Sequence, residues 1–425
     1  MITRIARKEL IEMMRDGRFR WMAGIVATLL LIALVTGWKH YSAFEREKAE
    51  VAKAERNRWL KQERKGPHSA AHYGVYAFKP QTPLASMDNG IEPFVGVSVW
   101  LEAHKQNNMV FRPADDATAA QRFGEMTSAT VMQILLPLFI ILLCFGAFAF
   151  EREQGTLRQL LASGVRMRDL ALGKILGIST ALAILLVPAV ITGVGVITLA
   201  TSAGGTTFLR FFLGCVAYLL YLAVFVFLSL GVSAMVRSSR VALVALLCFW
   251  IINCLVTPRA MADFASYMHP TPSALEWRMA LEEDLGDPHG AEELEKLKAE
   301  LLEKYGVERV EDLPVNWSGI SIQAGEEHSA EIFDKHYRYL FGILRNQNKF
   351  AQLGGILAPM LSIRALSMAL SGTDFEHHRH FVEASEAHRR VIQKILNEDL
   401  AANPDRNGER YTAGPEIWAK IPGFR

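Results

Sequence analysis

The sequence predicts a mainly α fold, a polytopic α-helical membrane protein carrying a mixed, mostly helical extracytoplasmic domain. Three observations lead there. Apolar residues make up 51% of the 425 and are gathered in blocks rather than spread as amphipathic stripes. Five blocks contain no charged residue and approach or exceed the about 20 helical residues that a roughly 30 Å hydrocarbon core requires. The polar remainder falls into two long regions with helical charge patterning. A net charge of +2 supplies no reason to expect a nucleic-acid partner.

Residues 1–20 come first, an amphipathic and basic segment before the first block. The blocks are then Trp21–Trp38, with a tryptophan at each end where amphipathic rings favour the interface, Ala129–Phe150, Ile175–Ala200, Phe211–Val236 and Val241–Thr257. Pro137 in the second is tolerable because a membrane helix can find another donor for the freed carbonyl. Orientation follows from the basic residues of the short connections. Arg152, Arg158, Arg166, Arg168 and Lys174 lie between the second and third crossings, and Arg237 and Arg240 between the fourth and fifth. TSAGGTTFL, between the third and fourth, carries no charge. Positive loops stay in the cytoplasm, which puts the N-terminus, with Arg4, Arg7, Lys8, Arg15, Arg18 and Arg20, on the same side. The basic residues just after the first crossing run against this, but a long segment translocates largely regardless of charge.

Residues 39–128 and 258–425 are therefore expected outside. The first region opens with Glu45/Lys48, Glu50/Lys53 and Glu55/Arg58, pairs three apart that support a solvated helix rising from the membrane. Its second half, rich in Pro, Gly and aromatics, reads as a packed, loop-rich piece. The second region holds helix signals in GAEELEKLKAELLEKYG and FVEASEAHRRVIQKILNEDLA. Asn348–Gly372 is the one further candidate crossing. Arg364 inside it costs about 2.5–3.5 kcal/mol, which its Leu, Ile and Phe residues only about cancel. It is expected on the outer membrane face or inside the outer domain. All four cysteines fall in the crossings, so the outer regions must be stable without disulfides, packed on each other and on the bilayer.

Residues that could carry chemistry are few. A P-loop needs G-x-x-x-x-G-K-[ST] to cradle phosphate; here Ile175 follows Gly173-Lys174 and Arg168 stands at the first glycine, so no ATP site is expected. HExxH and GxSxG are absent. In TDFEHHRHF, the residues His377, His378 and His380, with His388 about three turns on, could ligate copper or zinc. The same segment also reads as a helix start, capped by Thr373 or Asp374 with acids favoured in the first turn. His68, His72 and Tyr73 are weaker candidates, more simply assigned to capping or packing. In the fourth crossing, Gly214, Tyr218, Tyr221, Ser229 and Ser233 recur near one face. Helix contact and a substrate path both need that placement, contact being the commoner use, and Asn253 has the same two readings. Gly193 and Gly195 are expected to permit close helix approach.

The segment EREQGTLRQLLASGVRMRDLALGK resembles the first cytoplasmic loop of ABC-2-type export permeases, written E-x-E-x-G-T-L, a double leucine, basic residues and a final G-K. The matching positions are Glu151, Glu153, Gly155, Thr156, Leu157, Leu160, Leu161, Arg166, Arg168, Gly173 and Lys174. In that family the loop is a coupling helix that docks on a separate ATPase subunit. ARKELIEMMRDGRFRW is similar to the family's N-terminal elbow helix. HSAAHYGVYAFKP and RALSMALSGTDFEHHRHF resemble a subgroup with a large uncharacterised outer domain, distantly like the permease of nitrous-oxide-reductase maturation. The resemblance implies a transport subunit, not an enzyme, in a bacterial inner membrane. It implies ATP and Mg on the ATPase partner and none bound by this chain. It further implies a second permease chain, identical or related, surrounding lipid, and an outer domain that shapes the exit or receives an envelope partner. The departures are Gly164, where the family often has Pro, and a sixth family crossing that is expected to be absent here or to lie beyond Arg425. From another class, a membrane-anchored assembly or sensor protein would use the outer domain to bind a ligand or metal.

Overall fold

The computed structural model describes residues 1–110, 126–200, 204–405 and 409–424. Residues 111–125 of the first polar region and 201–203 of the uncharged connection lie outside the described residues. The main elements, in order, are α1 (Ile2–Arg15), α2 (Gly17–Leu60), α3 (Pro67–Tyr73), β1 (Val75–Phe78), β2 (Ser98–Leu101), α4 (Ser128–Glu153), α5 (Thr156–Ala162), α6 (Met167–Thr198), α7 (Gly205–Met235), α8 (Ser239–Met268), α9 (Ala274–Leu285), α10 (His289–Tyr305), α11 (Trp317–Leu353), α12 (Pro359–Ser371) and α13 (Phe375–Ala402). Five of them (α2, α4, α6, α7 and α8) are long and apolar enough to cross a membrane.

Asp16 adopts an extended conformation and frees α1 from the line of α2. α1 then seats on α6. A Cβ at Gly173 would lie 2.6 Å from the Ile5 side chain, and one at Gly177 2.9 Å from the Cβ of Glu9. The two glycines, four apart, let the helices approach as small residues do in membrane interfaces.

α4 is the centre of the bundle. Its Val131, Leu136, Ile140, Ile141 and Cys144 are fully buried in one apolar cluster shared with α2, α6, α7 and α8. Two π-helical segments interrupt the bundle at comparable points, Val131–Leu135 in α4 and Ile252–Val256 in α8. The first ends just before Pro137, which has no N–H for the carbonyl of Gln133 four residues back.

α2 joins two expected elements. The first crossing and the solvated helix after it are one unbroken helix to Leu60, with Glu45–Lys48 and Glu55–Arg58 ion pairs on its polar part. Charged residues of this kind are good helix formers, so nothing at the water boundary stops the helix. At its far end Trp59 is buried edge-on against Trp418, ring centroids 6.1 Å apart, and donates its Nε1–H to the Trp418 carbonyl at 3.0 Å.

The two polar regions share one core. Trp59, Val99 and Leu101 pack with Phe381, Ile392, Leu396 and Trp418. β1 and β2 pair antiparallel, Val75 opposite Leu101 and Phe78 opposite Ser98. α11 and α13 form the helical body, and α9 begins with a Ser273/Glu276 capping box.

The segment expected on the membrane face or inside the outer domain behaves differently. α12 is only 13 residues, too short to cross, yet its Met360 and Ile363 belong to the buried cluster of the crossings. Met360, Ile363 and Ser367 share one inward face, and Arg364 sits on the exposed side. The helix thus plugs the end of the bundle nearest the hydrophilic domain. That end is called here the domain end; the opposite one, with α1 and α5, is the loop end.

Candidate functional site: the α4–α6 loop and a buried polar network

At the loop end the chain leaves α4, turns at Gly155, forms α5, turns again at Gly164 and enters α6. Gly155 and Gly164 have φ of +75° and +86°, the left-handed region that glycine enters without steric cost. The segment that resembles a coupling helix is therefore a short helix plus the first two turns of a crossing. Leu157 of α5 is buried in the bundle, with Leu160 and Val165 packed beside it. Arg158, Gln159, Leu161, Ala162, Arg166, Met167 and Arg168 are exposed.

Two of the motif residues, Glu151 and Lys174, face inward instead, while Glu153 stays exposed. The Lys174 ammonium is 2.8 Å from a Glu9 carboxylate oxygen and 2.9 Å from one of Glu151. The lysine side chain is 2% exposed and each carboxylate 13%. This clamp ties α1, α4 and α6 together. Glu153 accepts from the backbone N–H and the hydroxyl of Ser239, at the first turn of α8. Arg152 beside it donates to the carbonyls of Ala234 and Val236, at the last turn of α7. Adjacent residues of opposite charge thereby satisfy the free C=O groups of one crossing and a free N–H of the next, with the sign each helix end prefers. Thr156 donates its hydroxyl to the Glu151 carbonyl, 3.1 Å.

Toward the domain end a polar chain threads the bundle. Gln133 Nε2 donates to the Tyr218 hydroxyl at 2.9 Å, Tyr218 to Ser367 Oγ at 2.9 Å, and Ser367 to the Asp88 carboxylate. Tyr221 donates its hydroxyl to the Gln133 carbonyl at 2.7 Å, the oxygen that Pro137 leaves without its usual partner. Trp250 Nε1 serves the Ile134 carbonyl at 3.0 Å. Asn253, in the second π-helical segment, accepts from the Met360 N–H at 3.3 Å and so holds the start of α12. Ser233 accepts from the backbone N–H groups of Phe148 and Ala149, where α4 bends. Ser229 is fully buried.

A half-open cavity of about 600 Å³ lies between α2, α6, α7 and α12. Its walls are mostly apolar, and its polar lining includes Asp88, Arg210, Tyr218, Ser367 and Ser371. Such a space suits an amphiphilic molecule. Of the six residues offered for a substrate path or a helix interface, Gly214 and Tyr218 line it. Tyr221, Ser233 and Asn253 join helices, and Ser229 is packed.

The histidines of TDFEHHRHF do not converge. His377 Nδ1 lies 2.6 Å from Asp374 Oδ1, His378 is buried, His380 is exposed, and His388 packs edge-on against Phe424. Asp374 is instead the N-cap of α13, accepting from the His377 N–H at 3.0 Å. Burial pushes its carboxyl up, but the two His377 donors outweigh burial and hold it below the ordinary range. Reading along the chain missed Glu9, Arg152 and Gln133. Only Arg152 carried a local signal, its place in the E-R-E step between the two carboxylates.

A family model described as "ABC-2 family transporter protein" matches residues 3–285. A second, described as a domain of unknown function (DUF3526), matches residues 274–425. No curated protein matches the chain.

Proposed function

We propose, from the premise that the chain belongs to the ABC-2 family of transporter proteins, that it is the permease subunit of an ATP-driven exporter. Membership makes it a multi-pass membrane transport component with an additional helical C-terminal domain. The further reading places α1 and α5 in the cytoplasm, the crossings in a bacterial inner membrane and the hydrophilic domain outside. A separate ATPase subunit holds ATP and Mg, and a second permease chain, identical or related, completes the unit.

The observation that carries this is the division of labour in the α4–α6 loop. Arg158, Leu161 and Met167 are presented to solvent, with Leu161 43% and Met167 39% exposed. Behind them, Lys174 and the Arg152–Glu153 pair bind that loop to α1, α6, α7 and α8. A subunit docking on α5 would thus press on four elements at once. The motion would tilt the crossings and reopen the path on the domain side, where an envelope partner could receive cargo. The amphiphile-sized cavity supports an amphiphilic cargo.

The test uses exposed positions, so that the fold is left alone. Leu161→Asp with Arg158→Glu should abolish co-purification of the ATPase subunit, or ATP-dependent transport in reconstituted vesicles, while the permease remains monodisperse. Undiminished assembly and transport would refute the docking role. Ala223→Trp, which fills the cavity, should reduce transport several-fold with ATPase assembly intact.

A further inference from the structure

We propose that His68, His72 and His104 form a site for one divalent late first-row metal ion, zinc or copper, at the surface of the hydrophilic domain. The proposal does not depend on the transporter reading. Among the described residues this is the one set of three or more His, Cys, Asp or Glu residues whose ligand atoms converge.

The convergence is built by two elements. α3 places His68 and His72 four residues apart, on one face of a helix. His104 reaches them from the turn after β2. Its φ of +69° makes it the only residue other than glycine with positive φ among the described residues. Such a conformation is strained and persists only where the surroundings impose it. Here they do: the backbone N–H of His104 and its Nδ1 are 2.5 and 3.1 Å from the same Glu326 oxygen.

Two of the three separations match a coordination shell, and all the ligand atoms lie within 4.8 Å of one another. His68 Nε2 is 3.2 Å from His72 Nε2 and 3.3 Å from His104 Nε2. A tetrahedral ion with nitrogen ligands at 2.0–2.1 Å sets adjacent ligands about 3.3–3.4 Å apart. Hydrogen bonding alone serves three converging imidazole nitrogens poorly, because one N–H cannot satisfy two facing lone pairs. Imidazole is a ligand common to zinc and copper.

The outer support is also present. Glu326 fixes the His104 tautomer with its proton on Nδ1, leaving Nε2 bare, as a carboxylate behind a metal-bound histidine does. Glu326 is anchored in turn by Arg389 Nη1 at 2.8 Å, and Arg389 by Glu386. Both Glu326 and Arg389 are buried. The rings of His72 and His104 are exposed, so an ion has a way in and a fourth position open to water. A bound ion would join α3 and the β2 turn to α11 and α13 through this chain of contacts.

The test is made on the full chain in detergent, stripped with chelator and titrated with Zn²⁺ and, separately, Cu²⁺. One equivalent should bind, raise the thermal midpoint, and show an absorption-edge shell containing three imidazoles. His72→Ala, at an exposed ring that leaves the core alone, should remove that equivalent. Glu326→Gln should weaken it about 10–100-fold. His377→Ala and His388→Ala should leave it unchanged. The proposal is overturned if the wild-type chain binds no more metal than the triple variant H68A/H72A/H104A, or if His72→Ala keeps full affinity.

Discussion

Glu153 grips Ser239 through both of its carboxylate oxygens, one 2.9 Å from the backbone N–H and the other 2.9 Å from the hydroxyl. The contact spans 86 residues of chain and fastens the exit of α4 to the start of α8. The carboxylate does for this helix what an N-cap residue does locally, so its removal should loosen the start of α8. Glu153→Ala should lower the thermal midpoint and the coupling of ATP hydrolysis to transport. Glu153→Gln, which keeps an acceptor, should recover part of both, and equal behaviour of the two variants would dismiss the contact.

Lys174 is the one cation within 3.0 Å of the Glu9 and Glu151 carboxylates among the described residues, so Lys174→Met leaves both, in a site largely shielded from water, with only the exposed Lys8 at 3.9 and 4.0 Å. Breaking a buried pair in this way costs about 3–5 kcal/mol. The variant should express poorly or unfold at distinctly lower temperature. Adding Glu9→Gln and Glu151→Gln should recover much of the loss. A triple variant no better than the single one would place the defect elsewhere.

Gly177→Val puts a branched side chain where a single Cβ already lies 2.9 Å from the Cβ of Glu9 and 3.0 Å from the carbonyl of Ala6. Overpacking of this kind typically costs about 1–3 kcal/mol, here relieved by lifting α1 away. A fluorophore on α1 should show increased mobility in the variant, whereas Gly195→Val, with open space at its Cβ, should not change it. Identical signals from the two would contradict the packing.

Asp374 makes stability depend on pH with a defined sign. A carboxyl whose folded pKa is depressed binds its proton more weakly in the folded state. Its contribution is therefore present above the unfolded value, about 4, and is lost as pH falls through the lowered folded value. Asp374→Asn keeps the capping acceptor and removes the charge. The difference in thermal midpoint between wild type and D374N should shrink as pH drops from 6 to 3. A constant difference would show that the His377 contacts do not stabilise the ionised form.

The crossings were legible because five blocks without charge have no other economical solution than a membrane helix. The Asp374 cap and the helices around GAEELEKLKAELLEKYG and FVEASEAHRRVIQKILNEDLA were also legible, since caps and periodicity are local. Tertiary partners were not. Glu9 lies 165 residues from Lys174, and nothing near either names the other. The same motif residues serve two purposes, and only burial separates Leu161, which is offered outward, from Glu151, which is consumed within. His68 and His72 carried the four-residue spacing of a ligand pair, but the third imidazole arrives from a turn whose unusual backbone no local pattern announces. The insertion of α12 was hidden because its apolar face and its arginine average out when composition is read without direction.

The unbroken course of α2 has a mechanical corollary. At 1.5 Å per residue its 44 residues make a lever about 66 Å long, reaching from the loop end to the Trp59–Trp418 joint. A pivot of about ten degrees at one end would swing the other through about 11 Å. Movement begun beside the elbow would therefore arrive in the hydrophilic domain amplified and without delay, carried by a single shaft rather than relayed through loops.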